Sequence, residues 1–295
     1  MKVAVIGLGG VGGYIAASLA KASIDIVGFA RGEHLRVIES KGLTVVEDTE
    51  SWTQKIDARE LNAADGYFDV VLFCVKSYDL RDSFKEISPY IDAKTTILSF
   101  SNGVGNGDVL RELSDSIVLD GCVYILSHLE KPGVIRKKGK VFAAVFGGDV
   151  DATNSLNTLF KKASLRAKTP DDIKTAIWKK YIFISAFATL TSYYDKSVGY
   201  VYENHYDEAK ALLSEIASVA KAMGINVDSD IEKSLGTASK IPYDSSTSMR
   251  LDFQNAKRNE LEGLSGYIVN EGRRSGVETP LMSKMYEELL KRCSD

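Results

Sequence analysis

Between Lys2 and Ala20 the chain passes from a strand pattern through a glycine turn into a helix pattern, and few folds accommodate that order. Lys2-Val3-Ala4-Val5-Ile6 is the apolar, β-branched run of a strand buried on both faces of a parallel sheet. The chain then turns through Gly7-Leu8-Gly9-Gly10-Val11-Gly12, and Ile15, Ser18 and Leu19 repeat at helical spacing beyond it. Each glycine of the G-x-G-x-x-G spacing has a mechanical task. Gly7 permits the tight turn, Gly9 leaves no side chain between the main chain and a pyrophosphate, and Gly12 lets the helix pack close to the strand. The helix start adds N–H donors and the positive end of a dipole. A second strand, Ile24 to Ala30, follows at the distance of a β-α-β unit. The stretch therefore reads as a dinucleotide site formed by Gly7, Leu8, Gly9, Gly10, Val11 and Gly12, against the plainer reading of ordinary glycine-rich turn packing.

The end of the second strand selects the nucleotide. An NAD site usually carries Asp or Glu there, to take the ribose 2′-hydroxyl; this chain reads Ala30-Arg31-Gly32. Arg31 offers a fixed cation and a fork of donors, which suits a 2′-phosphate and hence NADPH. The competing readings are a solvated surface arginine, and a ribose served by nearby Glu33.

At 295 residues two domains are expected, and the net charge of −3 gives no footprint for nucleic acid or a membrane surface. Neither a signal-peptide pattern nor an apolar stretch of spanning length is read. Cys74, Cys122 and Cys293 are odd in number and widely spaced, which suggests a reducing, cytoplasmic setting and neither disulfide nor zinc. His34, His128 and His205 show no ligand spacing, so no metal is expected.

Along the chain, Glu33–Ser40 reads as a short helix, and Gly42–Val46 with Ser51–Ile56 as a hairpin. Tyr67–Val75 and Thr95–Phe100 are buried strands. They end in Lys76-Ser77-Tyr78-Asp79 and in Ser101-Asn102-Gly103-Val104-Gly105, and the carboxyl ends of strands are where a doubly wound sheet binds ligands. Lys76 reads equally well as a surface lysine, and Asn102 as a turn residue. Further strands are expected up to Phe146, with Arg136-Lys137-Lys138-Gly139-Lys140 as a solvated hairpin tip, and a helix over Asn154–Ala163. From Thr169 only helical periodicities follow: Ile173–Ser192, Glu203–Met223, Asp230–Leu235, Thr247–Glu271 and Pro280–Lys291. The expected class is α/β: a Rossmann-type doubly wound parallel sheet over residues 1–168 for NADP binding, then an all-helical C-terminal domain over 169–295 for substrate or dimerisation.

The helix opening at Ile173 is apolar on most sides and so internal, yet Lys179 and Lys180 interrupt it. A lysine there is costly unless it is paired or faces a wet site; the alternative is that it reaches out to solvent. The glycine turn, Arg31, Lys76, Ser101–Gly105, Trp178-Lys179-Lys180, Thr247-Ser248-Met249-Arg250-Leu251-Asp252 and Asn259-Glu260-Leu261-Glu262 together resemble, in order and separation, the ketopantoate reductase family, which reduces 2-dehydropantoate with NADPH. The resemblance implies that Lys180 is the catalytic proton donor and Glu260 its acidic partner. It further implies that Asn102 lies near nicotinamide and substrate, Lys76 near the cofactor, and Ser248 at the substrate carboxylate, with Asp252 structural. It departs from the family at Ile184 and Ala188, one and two turns beyond Lys180, where well-known members carry asparagines that hold the substrate's polar tail; these two positions would line the substrate.

The implied activity is reduction of a 2-oxo acid to a 2-hydroxy acid, in the first place 2-dehydropantoate to pantoate in pantothenate biosynthesis. The alternatives are a family member acting on a less polar 2-oxo acid, an opine-type imine reductase, and a non-catalytic NADPH-binding regulator. The expected partner is a small-molecule 2-oxo acid, with neither nucleic acid nor membrane. The apolar second-half helix is compatible with a homodimer or simply with a core.

Overall fold

The computed structural model describes residues 1–294; Asp295, the last residue of the expected helical half, lies outside the described residues. The chain divides into two compact units. The first comprises Met1–Ser101 and Asn106–Ile173, the second Asn102–Gly105 and Lys174 onward. The division falls a few residues after the expected boundary at Lys168, and the second unit takes a short piece of chain that a boundary drawn along the sequence assigns to the first.

The first unit is built on one ten-stranded sheet: β1 (Lys2–Ile6), β2 (Asp25–Phe29), β3 (Leu43–Val46), β4 (Ser51–Gln54), β5 (Asp57–Arg59), β6 (Val70–Phe73), β7 (Thr96–Ser99), β8 (Ile117–Lys131), β9 (Val134–Gly147) and β10 (Ala167–Lys168). The order is β4-β3-β9-β8-β7-β6-β1-β2-β5, with β10 beside β9. From β5 to β8 all neighbours run parallel. The β8–β9 and β3–β4 pairs are antiparallel, so the Rossmann-type parallel sheet is extended into a mixed one.

Helices α1 (Gly10–Lys21), α2 (Gly32–Lys41), α3 (Leu80–Ile87), α4 (Asn106–Leu113) and α5 (Val150–Lys162) cover the sheet. Alternation along β1 shows how. Val3 and Val5 join Ile15, Leu19, Ile38 and Phe160 in one core, while Ala4 and Ile6 join Leu80, Phe84 and Leu110 in another. Successive side chains of a strand point to opposite faces, so a run apolar at every position needs a layer of helices on each side. The apolar runs seen in the sequence are therefore the doubly wound sheet.

The basic run does not form a hairpin tip. The chain reverses at Pro132-Gly133, where Gly133 has φ 76°, and Lys131 pairs with Val134 directly across the turn. Arg136 to Lys140 lie within β9, where the ladder shifts register between Ile125 and Leu126; Gly139 (φ 66°) carries the bulge and donates its N–H to Asp48. Lys137 is buried, its ammonium 2.8 Å from Glu47, 3.0 Å from the Gly139 carbonyl oxygen and over the Tyr14 ring. A pattern of charge alone cannot separate a solvated lysine from one that has found a carboxylate.

The second unit contains α6 (Ile173–Tyr194, all but its first residue), α7 (Val198–Asn204), α8 (Tyr206–Ala222), α9 (Ser229–Ala238), α10 (Ser248–Gln254), α11 (Tyr267–Ser275) and α12 (Pro280–Ser294). The α6 side chains Ile182, Ala186, Phe187 and Leu190 lie in a core shared with α8, α11 and α12. Charged side chains satisfy two helix ends at this core. The Glu215 carboxylate accepts from the N–H groups of Leu281 and Met282 at the start of α12, and Arg292 donates to the carbonyls of Ser192 and Tyr193 at the end of α6.

Two expected helices are broken. Glu203–Met223 is interrupted at His205, and Thr247–Glu271 stops at Gln254 and resumes only at Leu261, beginning with a π turn over Glu262–Gly266. The second break follows from residues 255–259: Ala256 adopts φ 50°, and the Asn259 side chain accepts from the N–H of Leu261, a local bond that competes with helix continuation. Among the described residues no helix is long and apolar enough to cross a membrane.

Candidate active site

The first unit's candidate site is made of backbone. Gly7 has φ 92°, a conformation L side chains rarely adopt, and its N–H bonds the Phe29 carbonyl on β2. A Cβ on Gly12 would collide with the Gly7 carbonyl oxygen and with the Cys74 side chain, whereas a Cβ on Gly9 would meet nothing within 4 Å. Gly12 thus presses α1 against the strands. Gly9, the N-cap residue of α1, has no side chain to occupy the helix's own first donors or the space beside them. That open, donor-lined helix start fits the pyrophosphate of a dinucleotide. Leu8 is buried, and Gly10 has no room for a side chain against the Ser127 backbone.

Sequence reasoning missed how this turn is held. His34 Nδ1 accepts from the Gly133 N–H at 2.9 Å, which leaves Nε2 to carry the proton and donate to the Leu8 carbonyl at 2.8 Å. One imidazole therefore ties the glycine turn to the β8–β9 reversal. No local pattern announces this bridge, because its partner lies ninety-nine residues away. Arg31 is exposed, at the N-cap position of α2, and no carboxylate ends β2. Lys76 is half-buried just beyond β6. Burial pushes the Cys74 thiol up to about 12, which disfavours the thiolate beside the turn.

The second unit's candidate site is made of side chains. Lys179 is exposed and Lys180 is half-buried, so the paired lysines divide between solvent and protein. Lys180 Nζ donates to Asn102 Oδ1 at 3.1 Å, and Asn102 Nδ2 donates to Glu260 Oε2 at 3.5 Å. Those neighbours orient the amide. Turned over, it would set donor against ammonium and acceptor against carboxylate. Glu260 is 2 % exposed, and a carboxylate so deep requires hydrogen-bond donors.

The fold brings these three together by two devices. Asn102–Gly105 lies on the second unit's core: Val104 packs into it, and a Cβ on Gly105 would come within 2.9 Å of the Tyr267 ring, itself packed against Trp178 and Tyr181. The π turn after Glu260 is clamped by a polar stripe of α6. Tyr181 donates to the Leu264 carbonyl at 2.6 Å and Ser185 donates to the same oxygen at 3.1 Å; Thr189 bonds Ser265 at 2.7 Å. Tyr181, Ser185 and Thr189 stand at i, i+4 and i+8, and Lys180 immediately precedes the stripe, so the contacts that dock the π turn also fix the lysine relative to Glu260. Burial holds the Tyr181 hydroxyl well above the ordinary phenol range, so it stays a donor.

Of the remaining expected positions, Ser248 is exposed in the first turn of α10, Ile184 is half-buried beside Lys180, and Ala188 is sealed in the core at 2 % exposure. Phe183, also half-buried, was not singled out from the sequence; its spacing of three from Lys180 is the signal that points to it.

A family model described as "Ketopantoate reductase PanE/ApbA" matches residues 3–148, and one described as "Ketopantoate reductase PanE/ApbA C terminal" matches residues 172–292. The chain belongs to the ketopantoate reductase family. The reductase is 28% identical to an uncharacterized oxidoreductase of Bacillus subtilis over 98% of both chains. Among solved structures it is 32% identical to 2-dehydropantoate 2-reductase from Porphyromonas gingivalis W83, with a TM-score of 0.85 over 98% of this chain and 99% of that one. It is 28% identical to a PanE/ApbA family ketopantoate reductase from Ralstonia eutropha JMP134, with a TM-score of 0.93 over 100% and 99%. The resemblance read from ordered motifs thus holds across both units.

Proposed function

We propose that this reductase converts a 2-oxo acid to a 2-hydroxy acid with NADPH, and that Lys180 is the residue that protonates the ketone oxygen. The observation that carries the reading is the Lys180–Asn102–Glu260 chain of hydrogen bonds. A reduced nicotinamide, when bound, supplies the hydride for the carbonyl carbon. The glycine turn and the start of α1 would hold the pyrophosphate, Arg31 would take the 2′-phosphate, and Lys76 would serve the cofactor.

Lys180 gives one proton to the oxygen as the C=O bond becomes C–OH, and regains it from solvent after product leaves. Its positive charge lowers the energy of an alkoxide that exists mainly in the transition state, which is where an interaction raises rate. Asn102 aims the ammonium by accepting one of its three donors. Glu260 fixes Asn102 from behind and keeps a negative charge near the lysine. Ser248 serves the substrate carboxylate. The partner is a small molecule, a homodimer is compatible with the helical unit, and neither nucleic acid nor membrane takes part.

The test is NADPH oxidation followed at 340 nm with a panel of 2-oxo acids including 2-dehydropantoate, each repeated with NADH and with an added amino acid. Turnover of 2-oxo acids alone, favouring NADPH by about tenfold or more, is the expected outcome. A requirement for the amino acid, or tight NADPH binding without turnover of any acid, contradicts the reading.

A further inference from the structure

The surface of α6 beside Lys180 carries information on the substrate. From Tyr181 to Ser192 every residue of α6 is buried except Phe183 and Ile184. These two stand at i+3 and i+4 from Lys180, the positions that share its face on a helix. What lies open along the helix next to the ammonium is therefore a phenyl ring and a sec-butyl group, with no polar side-chain atom between them. The opening is short. Phe187 and Ala188, one turn further, are 0% and 2% exposed. Phe187 also backs the Phe183 ring at a centroid distance of 4.9 Å, which limits how far that ring can swing.

We infer that the substituent on the substrate's ketone is short and apolar: a branched alkyl group, or a single aryl ring, without a hydroxyl. This rests on the 2-oxo acid reductase reading above and names the substrate class of the same site. The reacting ketone sits at Lys180, so the substituent attached to it lies within one helical turn, about 5 Å, of the ammonium and against Phe183 and Ile184. An alkyl group there removes apolar surface from water on both sides. A hydroxyl there surrenders its hydration and finds no partner among the side chains of α6 that lie open beside Lys180. An apolar site discriminates against an added hydroxyl by up to about 100-fold, so the preference is measurable without being absolute.

The experiment compares two acids that differ by one oxygen, 3,3-dimethyl-2-oxobutanoate and 4-hydroxy-3,3-dimethyl-2-oxobutanoate (2-dehydropantoate), by kcat/KM at saturating NADPH. The wild-type protein is expected to favour the acid without the hydroxyl by roughly 10- to 100-fold. Ile184→Asn supplies a donor and an acceptor at the same place and is expected to move the ratio toward the hydroxylated acid by roughly tenfold. Equal turnover of the two acids by the wild-type protein, or preference for the hydroxylated one, overturns this inference while leaving the reductase reading intact. No turnover of either acid, nor of any in the wider panel, overturns the reductase reading and this inference with it. The wild-type ratio stands without the variant, so poor folding of Ile184→Asn does not remove the test.

Discussion

The glycine-turn end of the first unit and the lysine end of the second each gather polar groups, and they do it with different materials. Around α1 the groups are main-chain, and the side chains matter by being absent: Gly7 for its positive φ, Gly9 for open space, Gly12 for contact. Around α6 the main chain is consumed by the helix, and three side chains brought from positions 102, 180 and 260 form a chain of hydrogen bonds. A backbone site is written in one contiguous stretch and depends on side chains that are absent. A side-chain site is dispersed, depends on how helices dock, and yields to conservative changes one group at a time.

The largest effect that sharpens this contrast is expected at Gly12. Valine there must displace the Gly7 carbonyl, an overpacking that costs about 1–3 kcal/mol, and it moves α1 off the strands, so both thermal stability and NADPH binding fall. A Gly12→Val protein with wild-type unfolding midpoint and NADPH affinity breaks the contrast. A smaller effect is expected at Arg31, a side-chain element within the backbone site. Arg31→Ala removes a charge-assisted contact of about 1.5 kcal/mol, so NADPH binds roughly tenfold more weakly by fluorescence titration while NADH binding stays unchanged. Equal weakening of both nucleotides removes Arg31 from the 2′-phosphate.

The same contrast explains how much was legible in the sequence. The glycine turn, the strands at β1, β2, β6 and β7 and the internal character of α6 were readable because each is a local pattern of apolar residues and glycines. In the basic run of β9, Lys138 and Lys140 are exposed as expected, but the run is no hairpin tip and the burial of Lys137 was not legible because it depends on Glu47, ninety residues earlier. The helix break ahead of Glu260 was missed because apolar periodicity continues through a stretch whose ending is set by Ala256 and Asn259. The apolar pattern showed only that Lys179 and Lys180 interrupt an internal helix; Lys180 meets Asn102, and no rule of spacing along α6 supplies that residue. The ordered family motifs supplied it, and the hydrogen bonds give it a physical meaning.

The measurement that bears most directly on the central claim is the turnover of Lys180→Ala set beside its NADPH affinity, using the best 2-oxo acid of the panel. On the proposed roles, in which the lysine acts on the ketone and the first unit holds the nucleotide, kcat falls by about 10²- to 10⁴-fold while the NADPH dissociation constant changes by no more than about twofold. An unchanged kcat would contradict the account, and so would a loss of activity traced entirely to weakened NADPH binding.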